Sequence, residues 1–491
     1  MTIPVFETKN GTVRGRDLGA VTRIARLRYA KPPVGPRRFA VPEPVAPWDS
    51  ELDCSGATSP VPPQLPSRLA KVMGSYPAEQ DEDCLHLDIW TPNARSGPLP
   101  VLVFIHGGAF MSGGGGMPCY DGAALAEREH IMVVNISYRL GVLGFLPIEG
   151  LAPANLGLRD QELALRFVRA SIADFGGDAG NITVSGQSAG AYSIQALLTR
   201  DTAPMLFDRA IVMSSPMGLS APDLASCEAS ASLFQTAMGT AVADDIRAAP
   251  IASILQAQGA VLRSLSTAPD NVAPPFLPIQ DDDFLTSDPV TRDAAKAAAW
   301  CPMIVGVTRE EHAAFHFQDD AFHAQASTLL PVRFFERFGA QAEVELARAR
   351  ARRIPPSDSA VLIDHGSRCR FVCGTFDFIE SLAAAGGNVR AYVFAWQSPT
   401  PEIGACHCIE LPFVFGNLPD WDGAPMLQGA DPQELDGLAR AFGGALAAFA
   451  READPRAGAA LNWPDFRQDR AYLTFDNSLS TTNLPPATYP C

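Results

Sequence analysis

No stretch of this chain reaches the ~18 uninterrupted apolar residues of a membrane-spanning helix. Its start, Met1-Thr2-Ile3-Pro4-Val5-Phe6-Glu7, lacks the basic region and the long apolar core of a secretion signal. Positive charge is scarce: 38 Lys and Arg stand against 54 Asp and Glu, a net charge of −16. That balance argues against nucleic acid and anionic membrane as partners. There is no internal repeat and no low-complexity linker. The ten cysteines are too thinly spread over 491 residues for a disulfide framework. Two close pairs, Cys369 with Cys373 and Cys406 with Cys408, lack the second matching pair of a zinc site. These absences lead us to expect a cytoplasmic protein with buried free thiols and no metal.

What is present is a large apolar content, 47% of residues, enough for a sizeable core. Continuous apolar runs at 99–105 and 131–136 read as strands covered on both faces, 209–214 and 303–307 as further buried strands, and 389–396 as a late strand. Residues 85–90 alternate like a half-buried strand, and 159–175 and 433–452 have helical spacing. Buried strands interleaved with helices predict an α/β architecture with a mostly parallel sheet. Residues 59–80 are polar and Pro-rich and read as a surface loop. Residues 222–300 and 320–385 are helix-rich.

The chain is organised around residues 180–196. An apolar run, Ile182-Thr183-Val184, leads into Gly186-Gln187-Ser188-Ala189-Gly190, and a helix-compatible stretch follows. This is the G-x-S-x-G elbow in its strand–turn–helix setting. The turn is strained, so its flanks must be nearly free of side chains, and Ser188 is pushed out toward substrate. A serine hydrolase also needs a base, an acid to orient it, and oxyanion donors, in the chain order Ser, acid, His for an α/β-hydrolase. The run 99–105 ends in His106-Gly107-Gly108-Ala109-Phe110. Side-chain-poor backbone there can aim N–H groups at an oxyanion, so Gly107, Gly108 and Ala109 are candidates together with Ala189. Of the histidines after Ser188 (312, 316, 323, 365 and 407), His407 lies in the loop after the strand ending at 396. A loop after the last buried strand is where this fold places its base. His312 and His316 are four apart but no H-E-x-x-H motif accompanies them, so packed or solvated rings are expected. Glu310 and Glu311 both follow the strand that starts at 303, and the residues alone leave the choice between them open.

With those residues assembled, the chain resembles the type-B carboxylesterase family. The segments that carry the likeness are Tyr29-Ala30-Lys31-Pro32-Pro33-Val34-Gly35, Glu82-Asp83-Cys84-Leu85, Asn155-Leu156-Gly157, Phe175-Gly176-Gly177-Asp178, Gly404-Ala405-Cys406-His407 and Glu410-Leu411-Pro412-Phe413-Val414-Phe415-Gly416. The resemblance implies an α/β-hydrolase fold: a mostly parallel central sheet flanked by helices, with helical cap insertions. It implies one domain over 1–491, with cap-like insertions at roughly 217–300 and 312–385. It implies Ser188 as nucleophile, His407 as base and, of the acidic pair, Glu311. Ser214 falls where the family keeps a serine that supports the triad. The implied activity is carboxylic-ester hydrolysis through an acyl-enzyme, on a small-molecule ester, without cofactor, by a monomer or small homo-oligomer. The same chemistry would serve an amide or carbamate, and a non-catalytic binding module is the rival class.

The departures are as informative. The family usually has Gly after the acid and after the catalytic His; here those positions hold His312 and Cys408. If either needs a positive φ, its side chain costs roughly 1 kcal/mol. Pro62 stands at the usual partner position of Cys84; Cys54 could substitute, but a free Cys84 suits a cytoplasmic protein better. Gln187 replaces the Glu of cholinesterases, and no Trp lies between Cys54 and Cys84, so a quaternary-ammonium substrate is not expected. Bulky thiol reagents at Cys406 and Cys408 are expected to slow the enzyme.

Overall fold

The computed structural model describes residues 4–56, 58–265, 268, 270–281, 283–353, 356–456, 461 and 463–483. Among the described residues its principal sheet has eleven strands. In chain order they are β1 Arg16–Asp17, β2 Val21–Arg28, β3 His86–Pro92, β4 Leu99–Ile105, β5 Met132–Ile136, β6 Gly177–Gln187, β7 Arg209–Met213, β8 Met303–Thr308, β9 Val389–Phe394, β10 Ala471–Phe475 and β11 Ser480–Asn483. Across the sheet they run β11-β10-β9-β8-β7-β6-β4-β5-β3-β2-β1. Every pairing from β10 across to β5 is parallel. The pairings at the two ends are antiparallel. A separate three-stranded sheet near the N-terminus joins Val5–Thr8, Gly11–Arg14 and Leu52–Asp53.

The central strands are apolar without alternation because both faces are covered. On β4, Val101, Val103 and Ile105 belong to one buried cluster, while Leu102 and Phe104 belong to a second on the opposite face. Helix α1, Leu156–Ser171, and helix α2, Ala189–Leu198, feed the first cluster. Helix α3, Pro432–Glu452, lays Leu438, Phe442 and Leu446 into the second. Two helical segments stand between strands of the sheet. One follows β7 and carries Leu224–Met238 and Ile251–Leu265; the other follows β8 and carries Asp320–Phe338, Ala342–Arg352, Asp358–Ser367 and Cys373–Ala384.

The runs read from the sequence fall on β4, β5, β7, β8 and β9. Three expectations change. Strands β10 and β11 follow the His407 loop, so that loop does not come after the last buried strand; β10 alternates buried and half-buried residues instead of running continuously apolar, and β11 alone lies outside it. Residues 59–80 are not a surface loop throughout: Ser59, Val61 and Val72 are buried. The cysteines are not all free. Cys373 is disulfide-bonded, while the other eight described cysteines, Cys54 and Cys84 among them, are free; Cys491 lies outside the described residues, as do Met1, Thr2 and Ile3. No helix among the described residues is long and apolar enough to cross a membrane.

Candidate active site

The elbow joins β6 to α2 at Ser188, whose φ of 57° and ψ of −121° are strained for a residue with a side chain. Its backbone N–H is held by the Met213 carbonyl of β7 at 2.9 Å. The flanking glycines are required by crowding. A Cβ on Gly186 would lie 2.6 Å from the Gly190 carbonyl carbon, and one on Gly190 would overlap the Ile105 carbonyl oxygen. Ser188 keeps 8% exposure and opens onto a cavity of about 230 Å³.

After β4 the backbone holds three successive positive φ values, at Gly108, Ala109 and Phe110. The turn is fastened where Met111 and Ser112 N–H both reach the Gly108 carbonyl at 3.0 Å, and behind it His106 stacks on Tyr138 at 4.4 Å. Among the described residues, the N–H groups of Gly108, Ala109 and Ala189 have no protein acceptor, and all three residues line the Ser188 cavity. Unspent donors beside a serine suit an oxyanion. Gly107 is placed differently. It borders a neighbouring cavity, and a Cβ on it would crowd the Gln187 carbonyl oxygen at 2.8 Å and the Ser188 Cβ at 3.1 Å. Its contribution is close approach.

His407 and Glu311 are fully buried, with His407 Nδ1 and Glu311 Oε2 2.5 Å apart. A carboxylate only accepts, so Nδ1–H donates and Nε2 keeps its lone pair in the neutral ring. The second oxygen, Oε1, accepts from Thr308 N–H at 2.8 Å. Phe315 and Phe371 pack against the imidazole, with centroids 5.4 and 4.9 Å away. Among the described residues no hydrogen bond joins Ser188 Oγ to His407; Gln187 Nε2 lies 3.3 Å from His407 Nε2 instead.

The acidic pair is separated by its surroundings. Glu310 turns away from the imidazole and meets Arg353 at 2.6 Å, Gln397 at 2.8 Å and the Ala405 N–H at 2.7 Å. Burial raises its pKa, but Arg309, the Ala405 N–H and Arg353 outweigh burial and leave it below the usual value. Ser214, with φ 51°, donates to Glu410 Oε1 at 3.0 Å. Burial and the neighbouring Glu311 push the Glu410 carboxyl up to about 7. Glu410 stood inside a motif already singled out, but nothing in its spacing marked it as an acid beside the imidazole.

The two departures from glycine resolve in opposite ways. His312 has an ordinary φ of −71° and is packed between Phe315 and Phe371; a Cβ on Gly366 would strike its ring. His316 stacks on Phe322 at 3.7 Å, so both rings are packed groups. Among the described residues no three His, Cys, Asp or Glu cluster as metal ligands. Cys408, in contrast, does adopt a positive φ, 74°, and its thiol reaches Gln187 Oε1 at 3.5 Å. Cys406 and Cys408 are buried, and burial raises both thiols well above the usual value. Both features slow reaction with a bulky reagent, although Cys408 borders the cavity that also meets Gly107 and Gln187.

The cavity walls come from Leu65 to Leu69, from Gln258, Leu262 and Leu265, and from Phe315, Arg370 and Phe371; sequence reasoning had singled out none of these residues.

A mostly parallel sheet, an elbow serine at the carboxyl end of its strand and a buried Glu–His pair define an α/β-hydrolase. A family model described as the Carboxylesterase family matches residues 2–488. A probable N-octanoylanthranilate hydrolase of Rhodococcus erythropolis is 36% identical over 472 residues, covering 94% of this chain and 95% of the relative. The para-nitrobenzyl esterase of Bacillus subtilis is 33% identical over 497 residues, covering 99% and 97%. A solved para-nitrobenzyl esterase structure superposes with a TM-score of 0.85 at 32% identity, covering 99% of this chain and 98% of that one. The chain belongs to the carboxylesterase family and is a carboxylic ester hydrolase of the serine-hydrolase type.

Proposed function

We propose that Ser188 is the nucleophile, His407 the general base, Glu311 the group that orients His407, and Gly108, Ala109 and Ala189 the oxyanion donors. His407 Nε2 takes the Ser188 proton as Oγ attacks the acyl carbon. The three N–H groups receive the negative oxygen. His407 returns its proton to the departing alcohol, then activates the water that releases the acid. No cofactor enters these steps. The observation that carries the reading is the 2.5 Å contact between His407 Nδ1 and Glu311 Oε2. It fixes the tautomer in which Nε2 can accept a proton. Gly107, Gln187 and Ser214 act by positioning: Gly107 by close approach, Gln187 at Nε2, and Ser214 through Glu410.

The same proposal takes residues 1–491 as one domain in which 217–300 and 312–385 cap the cavity. Its partner is a small-molecule ester, with neither nucleic acid nor membrane, and the chain acts as a monomer or small homo-oligomer. A cytoplasmic location is part of the reading; eight free cysteines support it and the bonded Cys373 is the exception. An N-acyl substrate is the second reading, favoured by the relative named for N-octanoylanthranilate.

The test is turnover of p-nitrophenyl esters from acetate to decanoate by the wild type and Ser188→Ala. Nitrophenol release by the wild type alone is the expected result, and the best chain length sizes the acyl site. Equal release by both proteins overturns the assignment.

A further inference from the structure

The cavity at Ser188 is largely apolar, yet Arg68 and Arg370 open onto it, and no aspartate or glutamate among the described residues does. Arg370 projects from a π-helical turn, Arg368–Val372. Such turns weaken local hydrogen bonding and recur at functional sites. The backbone there is fastened: Gly218 N–H donates to the Arg370 carbonyl at 2.7 Å, and a Cβ on Gly218 would lie 2.8 Å from the Arg370 Cα.

Arg370 Nη1 is buried with no hydrogen-bond partner among the described residues. Burial, then the charge of Arg68, pulls the Arg370 guanidinium down to about 10. Arg68 stands exposed at the mouth, donates to the Val272 carbonyl at 2.6 Å and lies over the Phe315 ring at 5.2 Å. Asp270, an acid whose charge reaches Arg370, is taken by Arg333 through two bonds of 2.5 and 2.8 Å. A buried guanidinium N–H without an acceptor and a second cation beside it are both unfavourable. An anion in the cavity answers both, and a planar carboxylate matches the guanidinium fork. In a chain of net charge −16, a cavity whose charged side chains among the described residues are all cationic is a local reversal.

We propose that Arg68 and Arg370 bind a carboxylate carried by the substrate, so that the preferred esters bear a free acid group on the acyl or the alcohol part. This rests on the reading of the Ser188 cavity as the place of reaction.

Two pairs of matched esters test it. On the acyl side, mono-p-nitrophenyl glutarate is compared with p-nitrophenyl valerate, after subtraction of spontaneous hydrolysis. On the alcohol side, 4-carboxyphenyl butyrate is compared with phenyl butyrate. In one pair the acid-bearing ester should have the higher kcat/KM by roughly ten- to a hundredfold, the value of one charge-assisted contact. That ratio should fall about tenfold in Arg68→Met and in Arg370→Met; being a ratio, it cancels any general loss of activity. If Arg370→Met does not fold, Arg68→Met at the exposed mouth carries the comparison. Ratios at or below one in both pairs, or a ratio unmoved by the substitutions, overturn the proposal. If no ester is hydrolysed at all, the reading of Ser188 is what fails. Calorimetric binding of glutarate then decides the anion site: binding that weakens in Arg68→Met upholds it, and no binding overturns it.

Discussion

Gln187 Nε2 lies 3.3 Å from His407 Nε2, the nitrogen proposed to accept the Ser188 proton. The side-chain amide therefore competes with the nucleophile for one lone pair. Its other end accepts from the Cys408 thiol, so the amide orientation is consistent with both neighbours. Gln187→Glu would put a negative charge beside an imidazole that already faces Glu311. A nearby carboxylate favours the imidazolium by about one pH unit or more. The acid limb of the kcat/KM profile should move to higher pH by about that amount. A profile that stays in place would show that residue 187 does not sense the base.

Glu310 and Glu311 should separate cleanly on substitution. Glu311→Gln removes the acceptor for His407 Nδ1–H, and loss of an orienting carboxylate lowers kcat by roughly 10³–10⁴-fold. Glu310→Gln leaves that contact intact but breaks a buried pair with Arg353. Its main effect should be on stability, about 2–4 kcal/mol at pH 7. Because the folded pKa of Glu310 is lowered, its stabilisation is present above the ordinary carboxyl pKa and is lost as pH falls through the folded value. Urea melts at pH 7 and pH 4 should show the gap between wild type and Glu310→Gln narrowing in acid.

Glu410 should behave in the opposite sense. Its folded pKa is raised from 4.5 to about 7. Below 4.5 both folded and unfolded chains hold the proton; between the two values only the folded chain does, so stability falls as pH rises across that window. Glu410→Gln keeps an acceptor for Ser214 and removes the titration. Its stability relative to wild type should improve steadily from pH 4.5 to 7, measured by thermal melts in matched buffers. A constant difference would mean that Glu410 does not titrate there.

Cys408 occupies a left-handed backbone position while its side chain is buried. Cys408→Gly removes strain of about 1 kcal/mol and loses a comparable amount of buried area, so its melting temperature should stay close to wild type. Cys408→Val puts a branched side chain at the same φ and should lower the melting temperature by several degrees. Equal melting temperatures for the two variants would refute the strain argument.

The elbow was legible because its geometry excludes side chains at Gly186 and Gly190, and glycine is visible in a sequence. The central strands were legible because burial on both faces leaves no polar alternation. The choice within Glu310-Glu311 was not, since neighbouring side chains leave the backbone in different directions and partners far along the chain decide their roles. Arg353 takes one and His407 the other. The two departures from glycine could be named but not told apart, because φ is set by the surrounding turn. Arg370 escaped notice for a related reason. Its place in the wall depends on a helix that gains one residue in a single turn, and no residue type announces that.

The crossings of Gly190 over Ile105, Gly186 over Gly190 and Gly107 over Ser188 pack the proposed nucleophile and oxyanion donors into one tightly crossed unit. The walls proposed to meet the rest of the substrate hang from separate segments, at 65–69, at 258–265 with 271–275, and at 370–371. Chemistry and choice of substrate are thus held by different parts of the chain. Laboratory evolution toward new esters should therefore collect its useful substitutions in those three stretches and leave the glycine crossings untouched.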